Sequence, residues 1–117
     1  MPLIKVHSSA EPPPKERVAQ VLEALSARLA GHLSKPERYV MTCWMPRAEM
    51  TFGGSHDPAL YVEVKSIGSM TPEQTHAMSA DFCALLTEAT GVPSSRTYIE
   101  FADAKPHLWG FDGDTFA

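Results

Sequence analysis

The spacing of hydrophobic residues predicts a strand, a helix and a second strand in the first half of the chain. Residues 3–7 form a short apolar run that the three prolines at 12–14 end. A helix follows, because aliphatic side chains recur at helical spacing on one face: Val18, Val21, Leu22, Leu25, Leu29 and Leu33. Residues 39–45 lack a clean alternation, which is typical of a strand buried on both faces, and Pro46 ends them. Turn residues dominate 47–58, which predicts a loop.

The second half of the chain repeats this order of elements. Residues 60–64 predict a third strand and residues 97–101 a fourth. Between them, Thr71 and Gln74 have the spacing of a capping box at the start of a helix. Gly91 is placed to end that helix.

The similarity of the two halves predicts an internal duplication, over residues 2–46 and 58–103, with Tyr39 and Tyr98 at matching positions. Parallel strand–helix–strand crossovers are right-handed, so two of them in one sheet place both helices on the same face. We therefore expect an α/β fold of the α+β kind, with duplicated βαβ units that form a four-stranded mixed sheet and two helices on one face. The length of 117 residues, 44% of them hydrophobic, suits one domain.

The face of the sheet opposite the helices would be bare in a single chain. Apolar residues expected on that face would be costly to expose: Leu3, Val40, Trp44, Tyr61 and Phe101. The pattern therefore predicts that this face is buried against other subunits.

Composition and charge exclude several classes of partner. Ten Lys and Arg against fourteen Asp and Glu give a net charge of −4, so the chain lacks the basic surface that binds nucleic acid. No apolar run approaches the roughly 20 residues that span a bilayer, and the first residues lack the apolar stretch of a signal peptide. These features predict no membrane association and a cytoplasmic protein. Cys43 and Cys83 lack the spacing of a disulfide framework or a zinc site, and no metal site is expected.

Pro2 is the first candidate for chemistry, because it directly follows Met1. Methionine is usually removed when the next residue is small, and its removal would leave a secondary amine at the start of an apolar strand. The alternative is that the proline only prevents a helix at the start of the chain.

Short motifs along the whole chain match those of a known family in order and in spacing. The motifs are Pro2-Leu3-Ile4, Lys35-Pro36, Phe52-Gly53-Gly54-Ser55, Ser66-Ile67-Gly68, Cys83-Ala84-Leu85-Leu86, Arg96-Thr97-Tyr98-Ile99, Asp103 and the closing Gly113-Asp114-Thr115-Phe116-Ala117. Together they resemble the macrophage migration inhibitory factor family of the tautomerase superfamily.

This resemblance implies a homotrimer with an active site at each subunit interface and no cofactor. In that family the amine of the N-terminal proline is the general base, which here is Pro2 after removal of Met1. The matching pocket residues are Lys35 and Ile67 from the same subunit and Tyr98 from its neighbour. Further matching positions lie beside Ile67 or near the C-terminus: Ser66, Trp109 and Phe111.

The chemistry of these residues agrees with the implied roles. Moving a proton between an α-carbon and a keto oxygen needs a base poised near neutral pH and a cation for the carboxylate. An ammonium about 6 Å from the amine, at an effective dielectric constant of about 20, would disfavour a second positive charge by about 2–3 kcal/mol. Together with burial in an apolar pocket, this repulsion would leave the Pro2 amine substantially neutral at pH 7.

The sequence therefore predicts a keto–enol tautomerase that acts on phenylpyruvate-like aromatic 2-keto acids. One alternative is a signalling or binding protein, since the family's best-known member is a cytokine secreted without a signal peptide, and such secretion stays open here. Another alternative is a different proline-dependent reaction of the superfamily, such as decarboxylation. Enzymes of that kind are expected to add arginines or acids to the pocket, and no additional arginine follows the proline strand.

Two sites in the sequence depart from the vertebrate cytokine. Ala59 and Val62 stand where it has a Cys-x-x-Cys pair, so the thiol oxidoreductase activity attributed to that pair should be absent. Glu100 stands where it has an asparagine. If Glu100 faces the ligand, its carboxylate should repel a second anionic group and accept a hydrogen bond from a phenolic hydroxyl. The alternative is a solvated strand glutamate that faces away from the pocket.

Overall fold

The structure is a computed structural model that describes residues 1–117. Its strands and α-helices are, in chain order, β1 (Leu3–Ser8), α1 (Lys15–Leu33), β2 (Met41–Met45), β3 (Leu60–Ile67), α2 (Pro72–Thr90), β4 (Thr97–Ala104), β5 (Gly110–Phe111) and β6 (Asp114–Thr115). Short 3₁₀ turns lie at Glu37–Tyr39, Ser94–Arg96 and Pro106–Leu108.

The first four strands form one mixed sheet in the order β2-β1-β3-β4. β1 runs parallel to β2 and β3 parallel to β4, while β1 and β3 are antiparallel at the centre. A helix connects each parallel pair, so the chain consists of two βαβ units. Residues from both helices and from one face of the sheet form a single core of 15 buried side chains. The predicted four-stranded mixed sheet with two helices on one face is confirmed.

The sequence signals at the ends of α2 act as predicted. The Thr71 hydroxyl accepts the Gln74 backbone N–H at 3.1 Å, and the Gln74 side chain accepts the Thr71 backbone N–H at 2.9 Å. Gly91 ends the helix with a φ of 77°, a conformation that glycine adopts without the steric cost of a Cβ atom.

β2 differs from the prediction in length and in burial. Tyr39 lies in the 3₁₀ turn before the strand, and Val40 follows that turn. β2 has only β1 beside it, and its end residues Met41 and Met45 are 65% and 43% exposed. The prediction of burial on both faces is therefore wrong, because the strand lies at the edge of the sheet with two methionines facing outward.

The strand register also corrects the prediction for the uncovered face of the sheet. Leu3 and Tyr61 lie on that face as expected, since their neighbours along each strand point into the core. Trp44 pairs with Val6, and Phe101 with Val64, whose side chains are fully buried on the helix side. Three of the residues expected on the bare face therefore pack against the core instead: Val40, Trp44 and Phe101.

Polar groups occupy much of the uncovered face. His7 contacts Glu63 at 3.0 Å, and Lys65 lies 3.4 Å from the same carboxylate. The imidazole of His7 also stacks on the ring of Tyr61, with the centroids 5.3 Å apart. The face is therefore a mixed surface rather than the apolar one predicted.

Two further features lie outside the predicted elements. β3 and β4 each extend three residues beyond the predicted strands, which places Ser66 and Ile67 at the end of β3. A small hairpin of β5 and β6, which the pattern did not predict, follows β4. Neither α-helix combines the length and the apolar character that a bilayer crossing requires.

Candidate active site

Pro2 lies at the start of β1 and is buried. Its carbonyl accepts the backbone N–H of Met41 at 3.0 Å, which fixes it beside the first residue of β2. In this chain the Pro2 nitrogen is an amide, and the free amine belongs to Met1. Burial, and secondly the positive charge of Lys35, lower the pKa of that amine below its ordinary value. The amino end of the chain and Lys35 therefore share one electrostatic environment.

The turn that ends α1 determines the position of Lys35. Ser34 adopts the left-handed conformation with a φ of 53°, and the Lys35 backbone N–H donates to the Ala30 carbonyl at 3.0 Å, as in a Schellman motif. This turn directs the lysine away from the helix axis and toward the end of β3. There its ammonium donates to the Ser66 hydroxyl at 2.7 Å and to the Ile67 carbonyl. Burial lowers the pKa of Lys35.

Ser66 and Ile67 therefore contact Lys35 directly. The Ser66 side chain is only 1% exposed, and its hydroxyl is engaged by the lysine. Its observed contribution is to hold the ammonium in place, while a role in binding substrate stays a prediction for both residues. Because an ammonium has three donors, one N–H of Lys35 is left for another acceptor.

A cavity of about 400 Å³ opens beside the amino end of the chain. Trp109 and Phe111, both predicted as walls of the pocket, line it together with Pro2. Tyr39 and Phe116 complete the aromatic wall. The Tyr39 ring meets the Phe111 ring edge-on with centroids 5.7 Å apart, and Phe116 stacks on Phe111 at 5.5 Å. Phe116 belongs to the closing motif of the sequence, but the spacing of that motif did not indicate that the C-terminal hairpin folds back onto β1.

Arg38 is the one charged side chain among the residues that line this cavity. Its guanidinium carbon lies 4.8 Å from the centre of the Tyr39 ring. No arginine was predicted in the pocket, whereas this arginine comes from the turn between α1 and β2 and lines the cavity. No spacing in the sequence indicated that this arginine would pack on the aromatic wall.

Tyr98 and Glu100 lie away from Pro2 in the same chain. Tyr98 pairs in register with Tyr61, which pairs with His7, at the opposite end of β1 from Pro2. The Tyr98 side chain is 67% exposed. Glu100 accepts a hydrogen bond of 2.5 Å from the Tyr61 hydroxyl. That bond, more than burial and the charges of nearby glutamates, raises the pKa of Tyr61 to about 12. One chain therefore does not bring all the predicted site residues together.

The loop next to Tyr98 is held by Arg96. The Phe52 ring lies 4.9 Å from the Tyr98 ring, and the Arg96 guanidinium lies 5.4 Å from the Phe52 centroid. The same guanidinium donates to four backbone carbonyls of the loop at 2.7–3.3 Å: Phe52, Ser55, Asp57 and Pro58. Arg96 belongs to one of the family motifs, but no role was predicted for it.

Comparison with known proteins identifies the family of this chain. The family model described as macrophage migration inhibitory factor (MIF) matches residues 1–117. The chain belongs to the macrophage migration inhibitory factor family. This family lies within the tautomerase superfamily, so the resemblance in the sequence motifs is confirmed.

Individual members of the migration inhibitory factor family match over most of their length. A homologue from Trichuris trichiura is 35% identical over 104 residues, which cover 88% of this chain and 91% of that protein. The Xenopus tropicalis protein is 36% identical over 97 residues, with 83% and 84% covered. The crystal structure of a homologue from Prochlorococcus marinus superposes with a TM-score of 0.91 at 40% identity, over 98% of this chain and 99% of that one.

Proposed function

We propose that this chain is a cofactor-free keto–enol tautomerase of phenylpyruvate-like aromatic 2-keto acids. In this proposal the Pro2 amine is the general base once Met1 has been removed. The observation that carries the proposal is an amino end beside Lys35 at a cavity with aromatic walls, in a chain of the tautomerase superfamily.

The proposed reaction transfers one proton from the carbon next to the keto group to the keto oxygen. The Pro2 nitrogen takes a proton from the carbon next to the keto group, the electrons of that C–H bond form the C=C bond, and the π electrons of the C=O bond move to the oxygen. The protonated Pro2 amine then returns the proton to that oxygen. The reverse sequence converts the enol to the ketone. Burial and the Lys35 charge lower the pKa of the Met1 amine, and the same influences would favour a neutral Pro2 amine, the form that a base requires. The free N–H of Lys35 is the donor for the substrate carboxylate, and Trp109 and Phe111 pack on the aromatic ring of the substrate.

The proposed active form is a homotrimer in which a neighbouring subunit supplies Tyr98 and Glu100. Support comes from the position of Tyr98, which is 67% exposed at the opposite end of the sheet from Pro2. Met41 and Leu108 are also largely exposed apolar side chains in the single chain, at 65% and 67%. Contact with neighbouring subunits would bury this surface and complete the pocket.

The decisive experiment compares two forms of the protein that differ only at the amino end. One form begins at Pro2 and the other retains Met1, each verified by intact-mass analysis. Ketonisation of the phenylpyruvate enol is then followed by ultraviolet absorbance. We expect activity only in the form that begins at Pro2, because an amide nitrogen does not accept the proton. Equal activity in the form that retains Met1 would rule out the proline-base mechanism.

A further inference from the structure

Arg38 is a cation without a carboxylate partner at the aromatic cavity. None of the five ion pairs in the chain includes Arg38 or Lys35. No carboxylate therefore lies within ion-pair distance of either cation. Arg38 alone among the charged residues lines the cavity itself.

The position of the guanidinium suits it to receive an anion. It rests against Tyr39, whose ring in turn contacts Phe111 in the aromatic wall. A guanidinium packed on a ring has fewer orientations to lose on binding, and its fork of N–H donors matches the two oxygens of a carboxylate. Lys35 is different, because the end of β3 occupies two of its three donors.

The two cations lie at different places and would therefore contact different parts of a ligand. Lys35 lies at the amino end, where its charge affects the N-terminal amine. Arg38 lines the cavity against whose wall the aromatic ring of a substrate would pack. A keto acid whose carboxylate meets Lys35 would therefore extend its ring along the wall that carries Arg38.

We propose that Arg38 is a specificity-determining residue that selects aromatic 2-keto acids with a second anionic group on the ring. This inference rests on the proposed function, since it takes the keto-acid carboxylate to meet Lys35 beside the base. It adds a substrate class, a dianionic aromatic keto acid, and it requires that Glu100 of the neighbouring subunit, whose carboxylate would repel a second anionic group, stay bound to the Tyr61 hydroxyl and face away from the ligand.

The kinetic experiment compares phenylpyruvate with 4-carboxyphenylpyruvate. We expect the wild-type chain to have a higher kcat/KM for the dianion, and Arg38→Gln to lower the dianion-to-monoanion ratio about tenfold. Arg38→Lys should keep part of the preference, because it keeps the charge but loses the fork. The control is Arg47→Gln, which removes an exposed arginine outside the cavity and should leave the ratio at the wild-type value.

A binding experiment separates this inference from the proposed reaction. The dissociation constants of 4-carboxyphenylacetate and phenylacetate, which cannot tautomerise as keto acids do, are measured by calorimetry with wild type and Arg38→Gln. If wild type binds the dianion more tightly than the monoanion and Arg38→Gln abolishes this difference, the inference is supported. That holds even if the protein does not turn over phenylpyruvate, because a lack of turnover would overturn only the tautomerase proposal. Equal ratios of dissociation constants in the two proteins would overturn the role of Arg38.

Discussion

Replacing Arg96 by lysine tests whether one side chain holds the loop from Phe52 to Pro58 in place. The substitution keeps the positive charge but replaces a planar fork with a single ammonium. In the structure that fork donates to four loop carbonyls and packs on the Phe52 ring. Lysine reaches at most some of these carbonyls, so the loop should loosen while the rest of the fold stays intact.

The size of the effect follows from the bonds that are lost. Arg96 is half-buried and the carbonyls lie on a loop that water reaches, so each lost hydrogen bond is taken at about 0.5 kcal/mol, the low end of the usual net range. Three lost bonds and a weakened cation–π contact of about 0.5 kcal/mol then give about 2 kcal/mol. Arg28→Lys is a matched control, because Arg28 makes one partly exposed ion pair of 2.7 Å with Asp81, worth at most about 1 kcal/mol.

The assay is denaturant unfolding at one fixed protein concentration, since subunit association would make apparent stability depend on concentration. Hydrogen exchange of the amides in residues 52–57 provides a local measurement, and it should accelerate in Arg96→Lys but not in Arg28→Lys. If Tyr98 serves a neighbouring site, KM should rise more than kcat falls, because Phe52 supports the Tyr98 ring at 4.9 Å. Equal unfolding midpoints for the two variants, with wild-type exchange in the loop, would refute the reasoning.

Three further predictions concern the amine, the sheet face and the assembly. Lys35→Ala should raise the pKa of the N-terminal amine, so the rise of kcat/KM with pH should move to higher pH, whereas Lys15→Ala should not move it; an unchanged profile would mean that Lys35 does not act on the base. Glu100→Gln should lower the pKa of Tyr61 from about 12 toward the ordinary tyrosine value, as followed by ultraviolet titration, and an unaltered titration would contradict the hydrogen bond. Sedimentation should show a trimer, and a stable, active monomer would contradict the shared site.

The sequence was sufficient to predict elements whose signals are local. The capping box of Thr71 and Gln74 and the glycine at position 91 act through neighbouring backbone atoms, so their effect is visible in the residues themselves. The duplicated βαβ order followed from periodicity for the same reason. Which side of the sheet a residue faces depends on register with another strand, and this is where Trp44 and Phe101 were assigned to the wrong face.

In the candidate site, too, some residues could be predicted from the sequence and others depend on tertiary contacts. Pro2, Lys35, Trp109 and Phe111 were named from motif positions, and the structure places three of them along one cavity with Lys35 beside the amino end. Arg38 was missed because its importance comes from a contact with the aromatic wall, which no spacing in the sequence expresses. The exposed positions of Tyr98 and Glu100 could not be derived from local pattern either, since they depend on how β4 pairs with β3.

The connection between α1 and β2 determines the character of the cavity more than any regular element does. Within eight residues, from Ser34 to Met41, it turns the chain through a left-handed residue, places both cations and Tyr39, and bonds to the Pro2 carbonyl. This segment contributes little to the buried core, which lies under the helices on the other side of the sheet. Under the proposed function, substitutions at its exposed positions should therefore change which acids the cavity binds, while the four-stranded fold and the position of Pro2 stay the same.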